Sequence, residues 1–359
     1  MIIKKLNVFI LGLMLCNNSF AQDSTKANES LVFGGFIDTY FTYNNNNPTN
    51  KDVPYAYNHS RSNELNVNLA LIKANYIHDN IRANVGLQAG TYTQYNYAAE
   101  PTILQHIYDA NAGFKLTKNI WLDAGIFGSS HIGFESAISK DNWTLTRSLC
   151  AENTPYYASG AELNYEPSSK LLVSVLVCNG WQNIKDNNKN KAIGYQITYK
   201  PTEKIGFNTS SFFGEGRNLP DSIGVMRYLN HAYAYYAFSP KCSTVVMIDY
   251  GMEQDFANTS KWLSWMNPTF LLRYEFTSKW ATCLRGEYYN DANKIIFSTI
   301  TGNAFKTIGT SLNIDYKPYS NVMLRTEAKY FSSEKDVYER NNKPTNTSLL
   351  LTTSLAVSF

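Results

Sequence analysis

Five times between residues 165 and 316 an aromatic residue stands directly before a turn: Tyr165 before Glu166-Pro167, Tyr199 before Lys200-Pro201, Phe238 before Ser239-Pro240, Phe276 before Thr277-Ser278, and Tyr316 before Lys317-Pro318. The intervals are 34, 39, 38 and 40 residues. Each holds two strands of roughly 9 to 11 residues, the length that crosses a bilayer at a tilt, plus a tight turn and a longer loop. A ring at the same point of each hairpin puts its apolar body in the acyl region and its polar edge at the headgroups. The chain ends in phase with this girdle on Phe359, 43 residues after Tyr316.

Alternation supports strands. Ile81, Ala83, Val85, Leu87 and Ala89 share one face, and Arg82, Asn84, Gly86, Gln88 and Gly90 the other. The same period of two runs through residues 108 to 116, 192 to 200 and 349 to 359. Half-apolar strands of this kind explain why the mean hydropathy is only -0.32 with 44% hydrophobic residues. No uninterrupted apolar run of helix-spanning length follows residue 21.

Short turns fall at 79–80, 117–119, 166–170, 200–204, 239–241, 277–279 and 317–320. Seven turns with both chain ends on one side predict 2 × 7 + 2 = 16 strands, with 14 or 18 as alternatives. The predicted fold class is all-β: a closed antiparallel up-and-down transmembrane barrel, since an open edge in hydrocarbon would strand backbone amides. The outward loops are predicted at 44–62, 93–105, 129–154, 179–191, 214–227, 251–264, 290–303 and 332–347. One segment changes phase: Leu65, Val67, Leu69 and Leu71 give way to Ile72, Ala74 and Tyr76, which predicts a bulge near Leu71. A soluble β-sandwich is the competing fold, and it does not account for aromatic residues at every turn.

Residues 1–21 read as a signal peptide, with Lys4 and Lys5, an apolar stretch from Leu6 to Leu15, and Ser19-Phe20-Ala21 before cleavage. Leu15 is too large for a lipobox ahead of Cys16. Residues 22–30 then form a short periplasmic segment, and 31–359 the barrel. Losing two lysines takes the net charge from +3 to +1, which leaves no basic field for nucleic acid. The remaining cysteines, Cys150, Cys178, Cys242 and Cys283, lack zinc or CxxC spacing. An oxidising compartment could join Cys150 to Cys178; the sequence leaves that open.

Four segments carry a family likeness: Gly35-Phe36-Ile37-Asp38-Thr39-Tyr40; Gly125-Ile126-Phe127 with His131-Ile132-Gly133-Phe134-Glu135; Asn179-Gly180-Trp181-Gln182; and Leu284-Arg285-Gly286-Glu287-Tyr288-Tyr289. In their order and spacing the chain resembles the OmpL-like family of β-barrel porins over most of its mature length. The resemblance implies a channel in the outer membrane of a Gram-negative bacterium.

If the apolar face meets lipid, phase turns Arg273 and Glu275, Arg285 and Glu287, and Arg325 and Glu327 inward, an Arg-x-Glu ladder on three strands. Such a ladder either lines a watery path with fixed charges or pairs off along the wall. The inward positive residues are Arg82, Lys115, Arg273, Arg285, Arg325 and Lys329. The inward negative ones are Asp38, Asp109, Asp123, Glu162, Asp249, Glu275, Glu287, Asp315 and Glu327. Nine against six leans toward cations. A barrel this wide is not filled by its own wall, so it conducts unless a loop narrows it.

The third outward loop is the candidate constriction. It is the longest, and it sets Trp143, Leu145 and Leu149 among Glu135, Lys140, Asp141, Arg147 and Glu152. A solvated loop has little use for those apolar residues. In rank it resembles the inward-folded third loop of general porins.

Two other functions are set against a passive porin for small hydrophilic solutes. A barrel hydrolase would need a Ser-His relay, yet the one close pair, Ser129-Ser130 beside His131, points to opposite faces of a strand. His59, His78, His106 and His231 have no metal-ligand spacing, so neither metal nor cofactor is expected. A closed barrel acting as receptor or assembly partner would use its loops instead. Its partners as a porin are outer-membrane lipid and solute, with a homotrimer expected by analogy with general porins.

Overall fold

The computed structural model describes residues 30–128, 131–216 and 224–359. The proposed signal peptide lies outside the described residues. Sixteen strands close into an antiparallel barrel: β1 Ser30–Asn44, β2 Leu65–His78, β3 Ile81–Ala89, β4 Ile107–Thr117, β5 Ile120–Phe127, β6 Ala158–Ser168, β7 Leu171–Cys178, β8 Ala192–Thr202, β9 Ile205–Glu215, β10 Met226–Ser239, β11 Cys242–Asp255, β12 Asn258–Glu275, β13 Trp280–Asp291, β14 Phe305–Tyr319, β15 Val322–Ser333 and β18 Thr347–Ser358. β16 Tyr338–Arg340 and β17 Lys343–Thr345 form a small hairpin in the last outward connection. Each barrel strand pairs with its chain neighbours, and β18 pairs with β1 to close the cylinder. At that seam Gly35 and Phe359 exchange backbone hydrogen bonds of 2.7 and 3.0 Å. The Phe359 ring lies where a Cβ on Gly35 would stand, so the glycine makes room for it.

The outside is greasy, as the alternation requires. Val85, Leu87, Ile197 and Leu355 are 54, 60, 39 and 42% exposed, and the polar residues between them face inward. The five turn-side aromatic residues lie on this outer belt, with Tyr316 stacked on Trp280 at 4.4 Å. Tyr43, Phe213, Tyr250 and Trp262 are exposed toward the opposite rim. The seven short turns fall where the sequence puts them.

Some boundaries differ. The extra residue in β2 is Asn68, between Val67 paired with Thr39 and Leu69 paired with Asp38. Because the bulge comes three residues earlier than expected, Leu69 and Leu71 turn into the barrel while Leu65 and Ile72 stay outside. The predicted loop 251–264 is mostly strand: β11 runs to Asp255 and β12 starts at Asn258, extending the wall beyond the belt. The predicted loop 93–105 contains two short helices, α1 Thr91–Asn96 and α2 Thr102–Gln105. Pro268 interrupts β12, where it removes a donor from the ladder to β13, and the Asn267 side chain donates to Tyr288 O at 2.8 Å in its place. Cys150 and Cys178 are both free thiols rather than a disulfide, because Cys150 sits on a loop folded into the barrel and not at a strand end.

Candidate functional site

The third outward connection, between β5 and β6, lies inside the cylinder. It carries a 3-10 turn, Ser139–Asp141, and a one-turn helix α3, Leu149–Glu152, capped by the Ser148 hydroxyl. Its apolar residues are what bring it in. Leu145 and Leu149 are buried, and loop residues join all three apolar clusters inside the wall: Ile132 and Leu149 with Trp265 and Phe212; Ala137, Ala151 and Tyr156 with Leu69 and Tyr92; Phe134, Trp143 and Cys150 with Tyr233 and Met247. At ~1.5–3 kcal/mol per buried large side chain, these residues favour the inward position before any polar contact is counted.

Polar contacts then set the loop's register against β12 to β15. Thr146 donates its amide and hydroxyl to Glu327 Oε2 at 2.6 and 2.9 Å. Leu149 N donates to Glu287 Oε2 at 2.6 Å, and Leu145 N to Asn313 Oδ1 at 3.1 Å. In the other direction Arg325 donates to Ser139 O and Asn142 O at 2.6 and 3.0 Å, and Lys329 to Arg147 O at 2.9 Å. Arg285 reaches Thr146 O at 2.7 Å and Thr144 Oγ1 at 2.9 Å. Carbonyls thus meet cations, and amides meet carboxylates or the Asn313 carboxamide, so these backbone groups of an irregular segment are satisfied inside a barrel.

The Arg-x-Glu ladder is therefore covered. Arg285, Glu287, Arg325 and Glu327 are buried beneath the loop and border no open water. Their ion pairs skip a strand, from Arg285 to Glu327 at 2.7 Å and from Arg273 to Asp315 at 3.0 Å. Arg325 adds a pair to Asp315 at 2.7 Å, and Lys329 lies 3.8 Å from Glu287. Glu275, at the lower edge, is part-exposed and 3.4 Å from Arg273.

The other predicted wall charges also face inward. Asp38 accepts from His59 at 3.0 Å, from Asn68 at 3.2 Å and from Ser139 at 2.7 Å, tying the first loop, the β2 bulge and the third loop to one carboxylate. Arg82 grips Asp123 and stacks on Trp121, which Lys115 also approaches at 5.0 Å. Asp109 pairs with Lys73 at 2.6 Å. Asp249 pairs with His231 at 2.6 Å. Glu162 stands directly across from Asp123.

Of the six loop candidates, Glu135 accepts from Ser148 N at 3.1 Å and lies 3.9 Å from Arg285. Burial raises its carboxyl above the usual range. Arg147 pairs with Glu152 at 3.0 Å and lies over the Tyr156 ring at 3.3 Å. Glu152 also accepts from Tyr57 N at 2.7 Å, which ties the first loop to the third. Trp143 packs edge-on against Phe134 and Tyr235. Lys140 and Asp141 pair at 2.7 Å above a cavity of about 250 Å³ at the turn end, lined also by Lys241, Arg273, Glu275 and Lys317. On the loop end Tyr55 packs edge-on against Phe297, Phe305 and Tyr338.

Sequence reasoning missed Lys73, Asn313, His231 and the pair Arg227–Glu253, whose guanidinium lies 4.5 Å from the Trp181 ring. The phase change in β2 already turned Lys73 inward, and Asn313 shares the face of Asp315.

The same architecture occurs in solved proteins. OmpT, an outer membrane protein of Vibrio cholerae in its trimer form, superposes with a TM-score of 0.61 at 11% identity, covering 92% of this chain and 99% of that one. The anion-selective porin from Comamonas acidovorans gives 0.61 at 9% identity over 92% and 100%. The outer membrane channel DcaP of Acinetobacter baumannii gives 0.59 at 10% identity over 94% and 99%. These identities carry the fold alone. A search of curated proteins finds no match. The family model described as "Putative beta-barrel porin-2, OmpL-like" matches residues 30–359, and the chain belongs to that family of outer-membrane porins.

Proposed function

We propose that this porin passes small hydrophilic solutes by passive diffusion, and that its third loop, held across the lumen by β12 to β15, is the barrier they meet. The observation that carries the reading is the hydrogen bonding of Thr146 and Leu149 to Glu327 and Glu287, which fastens the loop to the wall inside the barrel. Solute crosses when these contacts give way. The charges along the path are largely matched in pairs; Lys73 offsets one of the three excess negative charges counted from sequence, while Arg227 comes with its own carboxylate, Glu253, so the preference for cations is weak. A homotrimer is the assembly we favour, in keeping with the trimer form of OmpT.

The packed lumen gives a second reading some support, a closed barrel acting through its outer loops. A hydrolase is disfavoured because His131 directs its ring to Ser211 O at 2.8 Å rather than toward a nucleophile. Steady current from the purified protein in a planar bilayer, with a reversal potential near zero in a salt gradient, supports the porin reading. Permanent silence at every voltage favours the closed barrel, and lipid or peptide hydrolysis the enzyme. Chemical cross-linking in outer-membrane vesicles checks the trimer: a ladder ending at three copies is expected.

A further inference from the structure

Three side chains from three elements meet inside the wall. Cys150 comes from α3 of the third loop, His231 from β10 and Asp249 from β11, and the last two face each other across the β10–β11 ladder. All are buried. Cys150 Sγ lies 3.7 Å from His231 Nδ1, and the same nitrogen lies 2.6 Å from Asp249 Oδ1. All three donor atoms fall within 4.8 Å of one another.

A nucleophilic relay does not fit this arrangement. It needs the carboxylate on one ring nitrogen and the thiol on the other, whereas here both converge on Nδ1. His231 Nε2 is buried without a hydrogen-bond partner, so Nδ1 is the nitrogen the cluster engages. Convergence of sulfur, nitrogen and oxygen on one point is the geometry of a shared ion. In a tetrahedral zinc site with bonds of about 2.0 to 2.3 Å, ligand atoms stand roughly 3.2 to 3.7 Å apart. The thiol and imidazole already have that spacing, and Asp249 would withdraw by about half an ångström as the ion replaces the shared proton.

We propose that Cys150, His231 and Asp249 form a binding site for a zinc-class divalent cation that fastens the third loop to the wall. A dication with one thiolate, one carboxylate and one neutral imidazole is electrically neutral, which is what a buried site requires. Binding releases the thiol proton to the solvent, and the proton held between Nδ1 and Asp249 moves to Nε2, so the imidazole stays neutral. Three protein ligands leave a fourth position for water. The wall ligands lie on β10 and β11, next to the β12 to β15 stretch that holds the loop, so the ion would add a fixed point to α3 beside the bond from Leu149 to Glu287. This coupling rests on the proposed role of the loop as barrier; the site itself does not.

Two measurements separate them. In the first, the full chain is folded into detergent with cobalt(II) as the probe, which lets a buried site fill. A thiolate-to-cobalt charge-transfer band saturating at one ion per chain is expected, absent in folded C150S and weakened in H231Q. No such band, or an equal band in folded C150S, overturns the site. In the second, conductance is recorded with zinc and then with chelator. Zinc should lower the current of the wild type and chelator restore it, with C150S indifferent; current unaffected by zinc in a chain that binds cobalt overturns the fastening role and leaves the site.

Discussion

Glu327 is a fully enclosed carboxylate that survives because every direction around it is answered. It accepts a hydrogen bond from the Arg285 guanidinium and two from Thr146. Glu327→Gln keeps the shape and removes the charge, leaving Arg285 short of its nearest anion. Loss of one partner of such a buried pair costs ~3 kcal/mol. The expected outcome is a lower urea midpoint in detergent and more frequent channel opening; unchanged values for both would contradict the clamp. His131 gives a pH dependence. Burial lowers its imidazole from 6.5 to about 4, so the closed loop holds it neutral while a released loop lets it protonate. The closed state therefore binds fewer protons between those values, and its advantage shrinks as pH falls through that window, by at most ~3 kcal/mol. Glu135, raised by burial, acts in the opposite sense just above the usual carboxylate range. Conductance of wild type should rise on acidification from pH 6.5 to 4 more than that of His131→Gln; equal rises would exclude His131.

At the scale of the element, strands were legible and their irregularities were not. Period-two alternation and turn chemistry depend on residues adjacent in sequence, so β3, β8 and β18 could be read directly with their inward polar faces. The β2 bulge depends on what Asn68 meets across space: it donates to Asp38 and accepts from His59 N at 2.9 Å. Deleting Asn68 leaves Val67 and Leu69 in register with β1 but removes both bonds. Folding should persist, while protease should cut the first loop more readily, in line with ~2 kcal/mol of lost local hydrogen bonding. Equal cleavage would mean that Asp38 holds the loop without it. For the third loop, an apolar triad in a long polar connection announced burial, yet nothing in sequence assigned Thr146 to Glu327. The Cys150, His231 and Asp249 cluster was hidden for the same reason, since its members come from separate elements.

For the whole molecule, two solvents act on one wall. Lipid meets the outer face, and the loops replace much of the water inside. Leu312, midway along β14 and 51% exposed, should tolerate a charge badly: Leu312→Arg is expected to cost ~2–4 kcal/mol in a bilayer. Urea titration in liposomes checks this, and a change near zero would place that face out of hydrocarbon. Within that wall the third loop is the proposed barrier across the bore. Single-channel current through the chain lacking residues 137–149 decides whether it is. A several-fold larger and steadier conductance than that of the intact protein is predicted, and an unchanged conductance would contradict it.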